Sequence, residues 1–98
     1  MKGPPDSKWT FLTNHTHVLV VLDRQPESRI RDIALEVGIT ERAVQRILAD
    51  LVADGFLRVR KIGRRNEYSI NRRKRLRHPL EDSVRIGNVL DLVAEQVA

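Results

Sequence analysis

Cysteine is absent from this 98-residue chain. That excludes disulfides, thiol catalysis, iron–sulfur clusters and cysteine-based zinc sites together. It leaves the redox compartment open, although it suits the cytosol. Long apolar runs are missing too. The longest, Val18 to Leu22, is far too short to cross a bilayer, which takes about 20 residues. The start, Met1 to Ser7, is polar and turn-forming, with no apolar stretch of signal-peptide length behind it. No membrane partner is expected, and a cytoplasmic, nucleoid-associated location is. There is no nucleophile–base set, no Gly-rich phosphate loop and no paired carboxylates, so neither an enzyme nor a cofactor is expected. The length fits one domain. A domain this small buries a modest share of its surface, so a second subunit would add useful core.

What the chain does have is positive charge in one place. Residues 1–55 carry 7 Lys/Arg and 8 Asp/Glu, a net of −1. Residues 56–78 carry 10 and 1, a net of +9, and residues 79–98 carry 1 and 4, a net of −3. Nearly all of the overall +5 therefore sits in 23 residues. Taken alone, such a run reads as a solvated loop. Beside the right neighbour it reads as a polyanion footprint.

The neighbour is a pair of short helices. Residues 1–8 form a flexible lead. Trp9, Phe11 and Leu12 then place three large apolar groups within four residues, as a core anchor or an interface. Thr13 or Asn14 can cap a helix running to Asp23 or Arg24. Its Val18–Leu22 run is apolar on nearly every side, which predicts burial all round. A short strand is the alternative. Ser28-Arg29-Ile30 is read as a short strand. A helix follows over Arg31 to Val37, and Gly38 supplies the left-handed residue that stops it. Thr40 caps the next helix, which runs to Asp54, with Ala43, Val44, Ile47, Leu48 and Leu51 as its buried stripe. Gly55 ends it.

From Leu57 to Ile62 apolar and basic residues alternate, which predicts a strand with one buried and one positive face. Gly63-Arg64-Arg65-Asn66 is a turn, and Tyr68 and Ile70 return as the second strand of a hairpin. Asn71 to His78 reads as a basic linker. Pro79 suits the first position of a C-terminal helix. Along that helix Ile86, Leu90, Val93 and Val97 recur at spacings that fit a helix-pair seam.

Two short helices around a Gly turn make a helix-turn-helix. With its aliphatic stripe inward, the second helix offers Thr40, Glu41, Arg42, Gln45 and Arg46 outward, where a recognition helix meets the major groove. Gln suits adenine and Arg suits guanine. Thr40 divides between capping and a phosphate contact, and Glu41 is more simply a helix-dipole partner. The hairpin adds Arg58, Arg60 and Lys61 on its approach and Arg64, Arg65 and Asn66 at its tip. It is placed to straddle phosphates or enter the minor groove.

At this point the chain resembles a family. Trp9 to His15, Arg31-Asp32-Ile33-Ala34, Gly38 to Ile47, Gly63 to Tyr68 and Arg77-His78-Pro79-Leu80-Glu81 are together similar to winged helix-turn-helix regulators of the MarR and ArsR type. The likeness is strongest to short single-domain bacterial regulators. It implies a mainly α fold with a small β-hairpin and dimerisation helices at both ends. It divides the chain into a lead (1–8), a DNA-binding domain (9–78) with recognition helix 40–54 and wing 58–66, and a dimerisation helix (79–98). It also implies a homodimer on palindromic or pseudo-palindromic double-stranded operator DNA. The pairing residues would be Trp9, Phe11, Ile86, Leu90, Val93 and Val97. Two departures stand out. Asn71 to Arg75 is unusually basic, and the C-terminal helix is too short to add a large ligand domain.

Two rival readings remain at this stage. A metal- or ligand-responsive repressor of the ArsR type would need ligands, yet His15 and His17 lie two apart, on opposite sides of a helix, and His78 is distant in sequence. A winged-helix interaction module is the other, but it has no use for ten Lys/Arg in one segment.

Overall fold

The computed structural model describes residues 9–95, so the lead of residues 1–8 and Val97 lie outside the described residues. Four helices and one antiparallel hairpin follow in the order α1 (Asn14–Arg24), α2 (Ile30–Val37), α3 (Glu41–Ala53), β1 (Leu57–Ile62), β2 (Arg65–Ile70) and α4 (Ile86–Glu95). The fold is mainly helical and is that of a winged helix.

The apolar run Val18–Leu22 is helical. Val18, Leu19, Val21 and Leu22 are all buried and Val20 is partly so. The segment has other helices on three sides, and this settles a run whose residue types alone also suit a strand. Ile33 and Ala34 of α2 and Val44, Ile47, Leu48 and Leu51 of α3 complete the centre. Each large aliphatic side chain withdrawn fully from water contributes about 1.5–3 kcal/mol.

The turn between α2 and α3 rests on Gly38, whose φ of 84° is a left-handed conformation that costs other residues a steric penalty. Its amide and that of Ile39 both return to the Ala34 carbonyl, at 2.8 and 3.1 Å. At the far end of α3 the Phe56 amide bonds the Leu51 carbonyl at 2.9 Å and the Gly55 amide bonds that of Val52 at 3.1 Å. This is the paired closure of a Schellman motif, and Leu51 and Phe56 are both buried beneath it.

Four expectations need correction. Ser28-Arg29-Ile30 forms no strand. The Ser28 amide and hydroxyl both fold back on the Gln25 carbonyl, and Ile30 already opens α2. Only the Pro26 carbonyl joins the sheet, accepting from the Tyr68 amide at 3.1 Å. The C-terminal helix begins at Ile86, not Pro79. Residues 79–83 are turns, and Arg75 and Arg85 form an antiparallel bridge that holds the chain extended just before the helix.

The basic linker is not free. The Arg72 carbonyl accepts from the Gly87 amide at 2.9 Å, and the Lys74 carbonyl from that of Ile86 at 2.8 Å. The Arg72 guanidinium bonds the Asp23 carboxylate at 2.6 Å, the Gly87 carbonyl at 3.2 Å and the Asp91 carboxylate. One side chain thereby ties α1 to α4. Finally, Ile86 and Leu90 do not line an open seam. They are 4% and 1% exposed and belong to the same core as α1, so α4 is packed into the domain that precedes it.

Candidate nucleic-acid interface

Thr40 caps α3 through its side chain, whose Oγ1 accepts from the Ala43 amide at 3.0 Å. Glu41, Arg42, Gln45 and Arg46 follow on the outward side of the first two turns, all exposed. None of these four has a side-chain hydrogen bond or ion pair among the described residues. The cause is the stripe beneath. Val44, Ile47 and Leu48 point into the core, and the helical repeat turns the polar residues away. Ala49 continues that outward side without bulk. The helix therefore offers donors and acceptors with free rotamers and no competing partner.

The hairpin register pairs Leu57 with Ile70, Val59 with Tyr68, Arg60 with Glu67 and Ile62 with Arg65. Gly63 and Arg64 form the two-residue loop, with Gly63 at a φ of 62°, as a type II′ turn requires. By the pleat, Arg58, Arg60, Ile62 and Arg65 share the outer face, and Lys61 and Asn66 lie on the other. The predicted buried face is only partly formed. Leu57 is 4% exposed and Tyr68 is buried, but Val59 on the same face is 45% exposed, and Ile62 falls on the outer face. Six residues at about 3.3 Å each carry the strand beyond the helices that could cover it. The wing is a projecting ribbon.

Arg60 meets Glu67 across the ribbon at 3.4 Å, with Arg60 well exposed and Glu67 half-buried. Such a pair is worth about 0–1 kcal/mol. Arg58, Lys61, Arg64 and Arg65 have no ion pair among the described residues. The tip stands beside the start of α2 rather than against α3. Arg29, Ile30, Arg64, Arg65 and Asn66 border a cleft of about 350 Å³. Arg29 is thus a further cation beside the hairpin tip. It was missed because it belongs neither to the basic run nor to α3, and no local pattern marks it.

The histidines go separate ways. His15 pairs with Asp50 at 2.9 Å, His17 with Asn14 at 3.0 Å, and His78 accepts from the Leu80 amide at 3.0 Å. Among the described residues no group of three His, Cys, Asp or Glu is arranged to hold a metal ion. Among them also, no helix is long and apolar enough to cross a membrane.

Two helices around a Gly turn, an outward polar helix face and a basic ribbon define a winged helix-turn-helix protein. A family model described as MarR family matches residues 10–65, more than half of the chain. The chain belongs to the MarR family, a family of winged-helix transcription regulators rather than enzymes. No curated protein matches it. The match ends at the start of β2, so Arg72, the Arg75–Arg85 bridge and α4 all lie beyond it.

Proposed function

We propose that the protein binds duplex DNA sequence-specifically as a homodimer in the cytoplasm and so regulates transcription beside a palindromic or pseudo-palindromic operator. The observation that carries this is the unpartnered, exposed set Glu41, Arg42, Gln45 and Arg46 on a capped helix, next to a projecting cationic ribbon. Gln45, Arg42 and Arg46 read base edges, and each good bidentate pair discriminates by about 1–3 kcal/mol. Thr40 holds the helix start and Glu41 favours its dipole. Arg64, Arg65 and Asn66, with Arg58, Arg60 and Lys61 behind them, take phosphates or the minor groove.

Pairing rests on Trp9, Phe11 and Val93 rather than on Ile86 and Leu90, which are already buried. Trp9 and Phe11 stack edge to face at 4.9 Å and are 66% and 93% exposed. Selection of bound oligonucleotides from a random pool tests the whole reading. The expected product is an inverted repeat with half-site centres about 10–10.5 bp apart or a multiple of that. A pool that emerges without any enriched sequence overturns it.

One observation favours a ligand-responsive form of this function. A cleft of about 370 Å³, bordered by Phe11, Leu19, Phe56, Leu76 and Val89, lies between α1, the end of α3 and α4. That volume is in the range of small-molecule sites. Its rim carries the His15–Asp50 pair and an Arg77–Asp54 pair at 3.0 Å.

A further inference from the structure

The cations of the basic run have different fates. Arg72 is held by Asp23 and Asp91, and Arg77 by Asp54. Arg75 is instead bridged to Arg85. The bonds on either side, Leu76 amide to Val84 carbonyl at 3.0 Å and Ile86 amide to Lys74 carbonyl at 2.8 Å, make this the pair type without direct hydrogen bonds. In that type the facing Cα atoms stand about 4.5 Å apart and the side chains are closest. Two arginines are therefore set opposite one another on one face, where like charges repel.

No ion pair among the described residues offsets them, and both residues are exposed. Arg85 also directly precedes α4, whose first turn holds no acidic residue, so it meets the positive end of that helix dipole. Asp23 and Asp91 go to Arg72 and Asp54 goes to Arg77, and no carboxylate among the described residues pairs with Arg75 or Arg85. Two open guanidiniums on one face fit an anion with several acceptor oxygens, and phosphate is the anion that guanidinium forks match best.

We propose that Arg75 and Arg85 clamp a backbone phosphate of duplex DNA lying outside the footprint of α3 and the hairpin tip. This rests on the DNA-binding reading above. Its placement follows from the fold. The Asn71 amide bonds the Phe56 carbonyl at 2.9 Å, at the base of the hairpin, and Arg77 pairs with Asp54, the C-cap of α3. The 13 residues of α3 span about 20 Å, and each six-residue strand spans about as much. The clamp segment is thus anchored at the ends of both elements that face away from the groove. The phosphate comes from DNA flanking the operator or from a second duplex.

The experiment compares wild type with the double variant Arg75→Ala/Arg85→Ala. Affinity is measured against salt on a duplex limited to the selected site and on one extended at both ends. Capture of a second, labelled duplex by an immobilised one is measured alongside. On the extended duplex the variant's plot of log K against log salt is expected to be shallower, by about 0.9 per lost phosphate. On the short duplex the two proteins coincide, and the Arg75→Lys/Arg85→Lys variant recovers most of the slope. If instead only the wild type carries the second duplex, the phosphate is that of a separate molecule, and the clamp stands. Equal slopes with equal capture overturn it. So does an equal loss on both duplexes, which puts the phosphate inside the footprint. Without DNA, at low salt, the Ala variant is expected to melt no lower than wild type because a repulsion is gone; a clear drop makes the pair structural and overturns the clamp. A wild type that binds no duplex at all would refute the DNA-binding reading, and the clamp with it.

Discussion

At Thr40 the hydroxyl is already accepting the Ala43 amide at 3.0 Å, so its first duty is to the helix. Thr40→Ala is expected to cost about 1 kcal/mol of stability, read from urea denaturation, and to weaken DNA binding through fraying of the first turn. Gly87 is a sterner position. A Cβ built there would stand 2.8 Å from the Arg72 carbonyl oxygen and 2.9 Å from the Arg72 Cβ. Backbone cannot yield as a side-chain tip does, so Gly87→Ala is expected to cost about 1–3 kcal/mol. The same melts check it, and an unchanged midpoint would mean that the α4 junction is loose. Thr40 was legible as a cap from its neighbours alone. The demand on Gly87 was not, because it comes from a residue 15 positions earlier that only the folded chain brings alongside.

Among the elements, α3 and the hairpin divide the proposed task, and that division can be measured. Arg64→Ala would remove a proposed phosphate contact. It is expected to weaken binding to all sequences alike and to lower the salt slope by about one unit. Gln45→Ala and Arg46→Ala are expected to relax preference at particular base pairs, by about 1–3 kcal/mol each, while leaving nonspecific binding nearly intact. Uniform losses from the helix variants, seen in competition against scrambled duplex, would erase the distinction. Both elements were readable in advance since each carries its own period, 3.6 for the stripe from Val44 to Leu51 and 2 for the strand from Leu57. The start of α4 was not. Pro79 is a sound helix opener taken alone, but the pairing of residues 74–76 with 84–86 forestalls it. Pairing between segments so far apart leaves no local trace.

On the scale of the whole molecule, the same long-range packing changes where a partner subunit can attach. Spacing alone made Ile86 and Leu90 one seam with Val93, and the fold turns both into the protomer's centre. Substituting Leu90, at 1% exposure, would therefore test folding rather than pairing. The large apolar side chains left most exposed among the described residues are Phe11, Leu80, Leu35, Trp9 and Leu92. Apolar groups scattered singly need no explanation, but Trp9 and Phe11 are in mutual contact and so form a contiguous apolar patch, the kind that marks an interaction site. Phe11, at 93% exposure, contributes little to the isolated protomer, so Phe11→Asp is expected to leave the unfolding midpoint of the monomer unchanged. In the dimer it would place a carboxylate in an apolar contact, and sedimentation is expected to show monomers. The single Trp, Trp9, reports the same event. Its emission is expected to shift to the blue as wild-type concentration rises through the dimer range, and to stay fixed in the Phe11→Asp variant. Dimers that persist in that variant, with Trp9 emission still concentration-dependent, would move the interface to Leu80 and Leu92, and Leu92→Arg would then be the substitution that separates the subunits.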